Sequence, residues 1–243
     1  MNIGFIGFGT MGAPMAGHLL QAGHALHVWS RRAASADFLV ERGARRCAVP
    51  AEVAAASEIV CTNVTASGDV EGLATQLVEG LVPGAVHVDF STIAPSAARC
   101  IAALYARRGV EFVDAPVSGG GGGARNANLS IMWGGNSALA PRLEPLFSVL
   151  GKTIVRVGEV GAGQVAKACN QMVMVAAIEA CAEAARLAEA AEVDFVLVRQ
   201  AMLGGSAGSR VLDAFGGRMA ARDFTPGVEA RLHHKDYALL MDE

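Results

Sequence analysis

The 243-residue chain predicts an α/β domain with a mainly parallel sheet, followed by an all-α domain, the two joined by a long helix. Three observations predict it. Short apolar runs alternate with helix-like segments through roughly the first 155 residues, which is the pattern of repeated βα units. From Val165 to Glu192 there is no Gly or Pro, and Ala, Val, Met and Glu dominate. At 1.5 Å per residue such a helix would span about 40 Å. After it, helix-like pieces alternate with glycine breaks at 204–208, 216–217 and 227, and no stretch reads as a strand. The α/β part is therefore expected at 1–160 and the all-α part at 161–243, with any linker near 158–163.

In chain order, "NIGFI" (Asn2–Ile6) is an apolar run stopped by glycines and reads as the first strand. Met11–Gln21 repeats apolar residues at helical spacing, and Ala25–Trp29 is the next strand. Ala33–Glu41 reads as a helix, and Ile59–Asn63 and Ala85–Asp89 as buried strands. Pro95 opens a helix that runs to Arg107, since a proline costs nothing in a first turn. Val110–Asp114, Leu129–Trp133 and Thr153–Val157 complete the strands. Their order in the sheet does not follow from these runs. The chain stops at "LHHKDYALLMDE", inside a helical stretch with no C-cap signal, so the all-α domain reads as truncated.

Composition excludes several classes. Hydrophobic residues are 52% and charged residues 18%, which marks an ordered globular chain. A net charge of −3 and scattered Arg pairs (31/32, 45/46, 107/108) argue against nucleic-acid binding. No uninterrupted apolar run reaches the roughly 18 residues of a membrane span, and "MNIGFIGFG" lacks the basic start of a signal peptide. Five widely spaced cysteines without a CxxC pair suit a reducing cytoplasm. His233 and His234 are adjacent and do not share a helix face, so no metal site is expected.

"IGFIGFGTMGAPMAGHLL" places Gly7, Gly9 and Gly12 in G-x-G-x-x-G spacing between a strand and a helix, and a second strand follows. That context reads as a dinucleotide site of Rossmann type, with pyrophosphate at the helix N-terminus. Gly7, Phe8, Gly9, Thr10, Met11 and Gly12 would lie along the cofactor. After the second strand an NAD site usually carries an acid, whereas this chain has Ser30, Arg31 and Arg32. Donors and positive charge there suit a 2′-phosphate, so NADP is expected in preference to NAD.

With "GFIGFGTMGAPMAGHLL", "VDFSTIAP", "FVDAPVSGG" and "GAGQVAKACNQ" in this order, the sequence resembles the β-hydroxyacid dehydrogenase family, with 6-phosphogluconate dehydrogenase as a distant relative. The resemblance covers the whole chain and implies an N-terminal Rossmann-type domain, a long interdomain helix and an all-α domain supporting a dimer or tetramer. It implies reversible, nicotinamide-dependent oxidation of a small β-hydroxy acid, of 3-hydroxyisobutyrate or 2-hydroxy-3-oxopropionate type. Carried over by position, Ser118, Gly119 and Gly120 would bind the substrate carboxylate. Lys167 would be the catalytic lysine, Asn170 its neighbouring ligand, and Gln171 would stand where the family often has a second Asn. Lys235 would touch nicotinamide and substrate, Thr92 would sit beside the nicotinamide, and Val64 and Thr65 would lie along the cofactor.

These residue types suit the chemistry. Charge developing on the carbonyl oxygen needs a proton donor within hydrogen-bond reach. Lys167 can be that group if burial or a second cation such as Lys235 lowers its pKa. Lys167, Asn170, Gln171 and Met174 share one helix face. Asp114 is expected to cap the loop that follows it. The five glycines from Gly119 pose a choice between a flexible linker and an anion cradle, and the expected domain boundary forty residues later favours the cradle. Asn126-Ala127-Asn128 replaces the family's usual small turn and bears on the substrate pocket. Two other readings remain: a non-catalytic dinucleotide-binding scaffold and an imine-reducing enzyme, both disfavoured by Lys167.

Overall fold

The computed structural model describes residues 1–225 and 230–241. Nine strands form one sheet: β1 (Asn2–Ile6), β2 (Ala25–Trp29), β3 (Arg45–Arg46), β4 (Ile59–Thr62), β5 (Val86–Asp89), β6 (Glu111–Asp114), β7 (Val117–Ser118), β8 (Leu129–Gly134) and β9 (Gly151–Gly158). Their order is β3-β2-β1-β4-β5-β6-β8-β7, with β9 on the far side of β8. The first six are parallel, while β8 runs antiparallel to β6 and β7, and β9 runs parallel to β8. The 3-2-1-4-5-6 run is the doubly wound dinucleotide-binding order, which puts a ligand crevice past the carboxyl ends of β1 and β4, where the winding reverses.

Helices α1 (Gly12–Gln21), α2 (Asp37–Val40), α3 (Pro50–Ala55), α4 (Ser67–Leu77), α5 (Pro95–Ala106), α6 (Gly120–Arg125) and α7 (Ala140–Leu150) cover the sheet, and the first turns of α8 (Ala162–Ala190) reach it. The central strands are buried along nearly their whole length, because both faces are covered. Alternate residues feed separate cores. Ile3, Phe5, Val86, Val88 and Val113 join Met15, Leu19 and Phe147, whereas Ile6, Val60 and Phe112 join Val53, Leu77 and Tyr105. His87 points into the second core, where burial pushes its pKa down to about 3 and keeps the ring neutral. It bridges Thr62 Oγ1 (2.8 Å) and the Tyr105 hydroxyl (3.1 Å).

The expected strands all form, to within two residues at each end. The helix expected at 33–41 is instead a 3₁₀ turn (Ala33–Ala36) leading into α2. Of these elements, four helices and two short strands were not among those expected by range: α3, α4, α6, α7, β3 and β7. No uninterrupted apolar run reaches 18 residues, although one helix meets a criterion of length and composition for crossing a membrane. That helix is α8, with a mean hydropathy of 1.2 over a stretch that is 11% buried. Its Ala-rich sequence averages high although Lys167, Asn170 and Gln171 interrupt it.

By compactness the chain forms two units: Met1–Lys167, joined by the described residues from Ala238 on, and Ala168–Tyr237. The first unit runs seven residues past the boundary expected at 160/161. A boundary read from texture marks where strands stop, but the first turns of α8 pack on β6 and β8: a Cβ on Gly163 would lie 2.7 Å from Asp114 O and Met132 O. The second unit holds the rest of α8, α9 (Phe195–Leu203), a π-helical turn (Leu212–Gly216), α10 (Gly217–Ala220) and most of α11 (Ala230–Met241). Arg199 links α9 to the π turn through Leu212 O (3.2 Å) and Asp213 O (2.7 Å).

Candidate active site

The glycine motif builds one wall of a cavity of about 580 Å³ at the carboxyl ends of β1, β2 and β4. Gly7 (φ +102°) turns the chain where a side chain would lie 2.2 Å from Asn63 O. Gly12 opens α1, and a Cβ there would lie 1.9 Å from Gly7 O. Both glycines are thus demanded by packing. Gly9 is different: no atom lies within 4 Å of where its Cβ would be, and it lines the cavity. Bare backbone facing open space is what a pyrophosphate needs. Met11, at the N-cap of α1, makes no side-chain cap bond; Ala13 N donates to Gly9 O (3.1 Å) and Pro14 has no N–H, so the backbone N–H groups that would meet an anion are those of the turn leading into Gly12. These residues fit a dinucleotide.

Gly7, Phe8, Gly9, Ser30, Arg31, Arg32, Val64 and Thr65 all line this one cavity, as do Ser35 and Asp69. Thr10, Met11 and Gly12 sit in the adjoining turn, and Thr92 lies half-buried just past β5. Asp69 is the sole acid among the lining residues. It accepts from Ala66 N at the start of α4 (3.2 Å) and stands 3.6 Å from Arg31, whose side chain is 82% exposed. Such an open pair is weak and leaves Arg31 available.

The second cluster lies on the β6–β7 segment and the start of α8. Asp114 is fully buried, and its carboxylate accepts from Gly161 N (2.7 Å) and Gln164 N (2.9 Å). It therefore caps α8 from a neighbouring strand instead of its own loop, as had been expected. Desolvation pushes its pKa up to about 7, with Asp89 adding to the rise and the backbone donors opposing it. One turn into α8, Lys167 is 8% exposed and its Nζ donates to Val117 O at 3.0 Å. Val117 immediately precedes Ser118, so the lysine is held against the carboxylate motif.

The glycine run is neither a linker nor a loose turn. Gly119 (φ +134°) and Gly120 (φ +60°) take positive-φ backbone conformations that favour glycine, and Gly120–Arg125 is helix α6. His18 Nε2 on α1 lies 3.1 and 3.0 Å from the carbonyls of Ala124 and Arg125, at the end of α6. A Cβ on Gly121 would lie 2.9 Å from Thr10 Cγ2, while one on Gly122 would meet nothing within 4 Å. Gly121→Ala is thus expected to push the dinucleotide turn aside and weaken dinucleotide binding severalfold. Gly122→Ala should raise stability by about 0.5–1 kcal/mol. Urea melts and fluorescence titrations of the two variants check the contrast, and indistinguishable variants would count against this packing.

In the second unit, Asn170 Nδ2 donates to Gln171 Oε1 (3.0 Å), and Gln171 Nε2 donates to Asp236 Oδ2 (2.7 Å). Asp236 also pairs with Lys235 Nζ at 3.1 Å, with their side chains 11% and 24% exposed. Asp236 is therefore the ion-pair partner that orients Lys235 and the Gln171 amide. Gln164 and the capping of α8 by Asp114 were not singled out from sequence, whereas Asp236, beside Lys235, had two sequence readings, an orienting ion-pair partner or a merely solvated acid, and the structure has the ion pair. The clue was the polar residue of "GAGQ" at the head of an otherwise apolar helix. Among the described residues no group of three His, Cys, Asp or Glu side chains could hold a metal.

A family model described as the NAD-binding domain of 6-phosphogluconate dehydrogenase matches residues 2–158. One described as the NAD-binding region of NADP-dependent 3-hydroxyisobutyrate dehydrogenase matches residues 161–243. A 2-hydroxy-3-oxopropionate reductase of Escherichia coli is 42% identical over 99% of this chain and 83% of its own length. The structure of a 3-hydroxyisobutyrate dehydrogenase from Mycobacterium tuberculosis with L-serine superposes with a TM-score of 0.91 at 32% identity, covering 99% of this chain and 85% of that one. An imine reductase from Streptomyces aurantiacus, at 24% identity and a TM-score of 0.74 over 98% of this chain and 88% of that one, shares the fold.

Proposed function

The chain belongs to the β-hydroxyacid dehydrogenase family, and from that premise we propose that it interconverts a small β-hydroxy acid and its aldehyde acid, of 3-hydroxyisobutyrate or 2-hydroxy-3-oxopropionate type. It is an NAD(P)-dependent oxidoreductase. The observation that carries the reading is a buried lysine, Lys167, bonded to the carbonyl of the residue before Ser118.

The nicotinamide, when bound, supplies the hydride for reduction or takes it up in oxidation. Lys167 Nζ gives a proton to the substrate oxygen in reduction and removes the hydroxyl proton in oxidation. Its bond to Val117 O holds the amine in place. Ser118 with Gly119 and Gly120 binds the substrate carboxylate, and Asn170 offers an amide one turn along α8. Gln171, whose amide is bonded at both ends, joins Asn170 to Asp236, and Asp236 pairs with Lys235.

The cavity favours NADP over NAD, because Ser30, Arg31, Arg32 and Ser35 follow β2 with no acid at the strand end. Arg31→Ala should raise KM for NADPH about tenfold and leave KM for NADH nearly unchanged, as expected for loss of one phosphate contact. Equal effects on both would refute the 2′-phosphate assignment. The five thiols are all free, which suits a reducing cytoplasm. Met172, Val173, Leu187, Val196 and Leu197 are exposed on α8 and α9, and we assign this apolar face to a homo-oligomer. A monomer mass in sedimentation at micromolar concentration would refute that assignment.

An absorbance assay at 340 nm with NADPH and NADH, against tartronate, methylmalonate and succinic semialdehydes and glyoxylate, tests the function directly. Nicotinamide binding without turnover of any acid would favour a scaffold. Turnover confined to imines would favour the imine-reducing alternative.

A further inference from the structure

Gln164 is the side chain on which the segments of the first unit converge. It is 2% exposed and lies in the first turn of α8. Its amide binds the peptide groups on both sides of Thr92: Oε1 accepts from Ile93 N (3.1 Å) and Nε2 donates to Ser91 O (2.9 Å). Its own N–H is held by Asp114 Oδ2 at 2.9 Å, beside Gly163, which has no room for a side chain. The same short loop reaches the dinucleotide cavity by another bond. Ser91 Oγ accepts from Val64 N (2.9 Å) and donates to Asp89 Oδ1 (2.6 Å). A carboxamide that donates and accepts toward one dipeptide does what a neighbouring strand would do. Turning it over would set donor against donor and acceptor against acceptor in a buried place.

We propose that Gln164 is a positioning residue: its amide clamps Thr92 in one place relative to α8, and so sets the nicotinamide end of the dinucleotide against Lys167, three residues further along that helix. This rests on the reading that Thr92 lies beside the nicotinamide. The clamp acts on one end of the cofactor only. The adenosine end is held by Gly9, Arg31 and Arg32, which the amide does not touch.

Gln164→Glu keeps the shape and the acceptor for Ile93 N, but a carboxylate cannot donate to Ser91 O. Gln164→Met keeps the length and loses both bonds. Trp29 lines the cavity, so its emission reports binding. Each variant of the full chain is titrated with the dinucleotide it turns over, NADPH or NADH, and with the matching nucleotide that lacks nicotinamide, 2′,5′-ADP or ADP. Losing one buried hydrogen bond should weaken the whole dinucleotide about tenfold and lower kcat, with the shorter nucleotide and KM for the acid within about twofold of the parent. Equal weakening of both nucleotides, in step with a lower melting temperature, means a structural role and overturns the proposal. Unchanged dinucleotide affinity in the Gln164 variants, with Thr92→Ala weakened, overturns the proposal and spares the reading of Thr92. Unchanged affinity in the Gln164 and Thr92 variants alike overturns both. Should Gln164→Glu fail to fold, Gln164→Met decides by the same comparison.

Discussion

Lys167→Ala is expected to lower kcat by about three orders of magnitude while dinucleotide affinity stays near that of the parent. The size follows from the role. A positioned general acid typically contributes two to four orders of magnitude. Lys167 is 8% exposed, and its Nζ is bonded to Val117 O, which fixes the amine against the β6–β7 segment. Stopped-flow turnover of the best aldehyde acid, beside a fluorescence titration with NADPH, checks both halves. Full turnover in the variant would end the general-acid assignment. A loss of dinucleotide binding as large as the loss of kcat would make Lys167 a structural residue instead.

The second large effect is on stability and its pH dependence. Burial pushes the Asp114 pKa up to about 7 from an ordinary carboxylate value. Between about pH 4 and 7 the folded chain therefore keeps a proton that the unfolded chain has lost. Stability falls as pH rises through that window, by about 1.4 kcal/mol per pH unit at the steepest, and levels off above it. Asp114→Asn removes this slope. It also turns an NH₂ group toward Gly161 N or Gln164 N, at a cost of about 1–3 kcal/mol at every pH. Urea midpoints of both proteins from pH 4.5 to 8.5 should thus converge as pH rises. Parallel curves would show that Asp114 does not carry the titration.

The two effects meet in one element. Asp114 holds the first turn of α8, Gln164 carries the next contact and Lys167 the one after, each on a different partner. A helix N-terminus with unsatisfied donors is the natural place to seat a strand-end carboxylate, and here it also fixes the height of the Lys167 amine. This is why "DAPVS" and "GAGQVAK", nearly fifty residues apart in sequence, act as one piece.

The N-terminal strands were legible because strands buried on both faces leave uninterrupted apolar runs, and the glycine motif because its spacing is a steric requirement. Gly7 and Gly12 turn out to be forced by backbone oxygens at 2.2 and 1.9 Å. Other parts left little trace. Helix α6 was hidden since four of its six residues are glycine, the residue least expected in a helix. β3 and β7 are two residues each, too short for any periodicity. Gln164 carries no signal alone, because its meaning lies in partners 71 and 73 residues away.

By itself, then, the sequence determined the local units: which stretches become strand or helix, where the chain turns on glycine, and which motif types are present. Those depend on neighbours a few residues apart. Strand order, the capping of α8 by Asp114, the seating of Lys167 on Val117 and the clamp on Thr92 were decided only by tertiary structure. Each is a hydrogen bond or steric fit between groups about thirty to seventy residues apart in the chain, and local propensity carries no record of such a pairing.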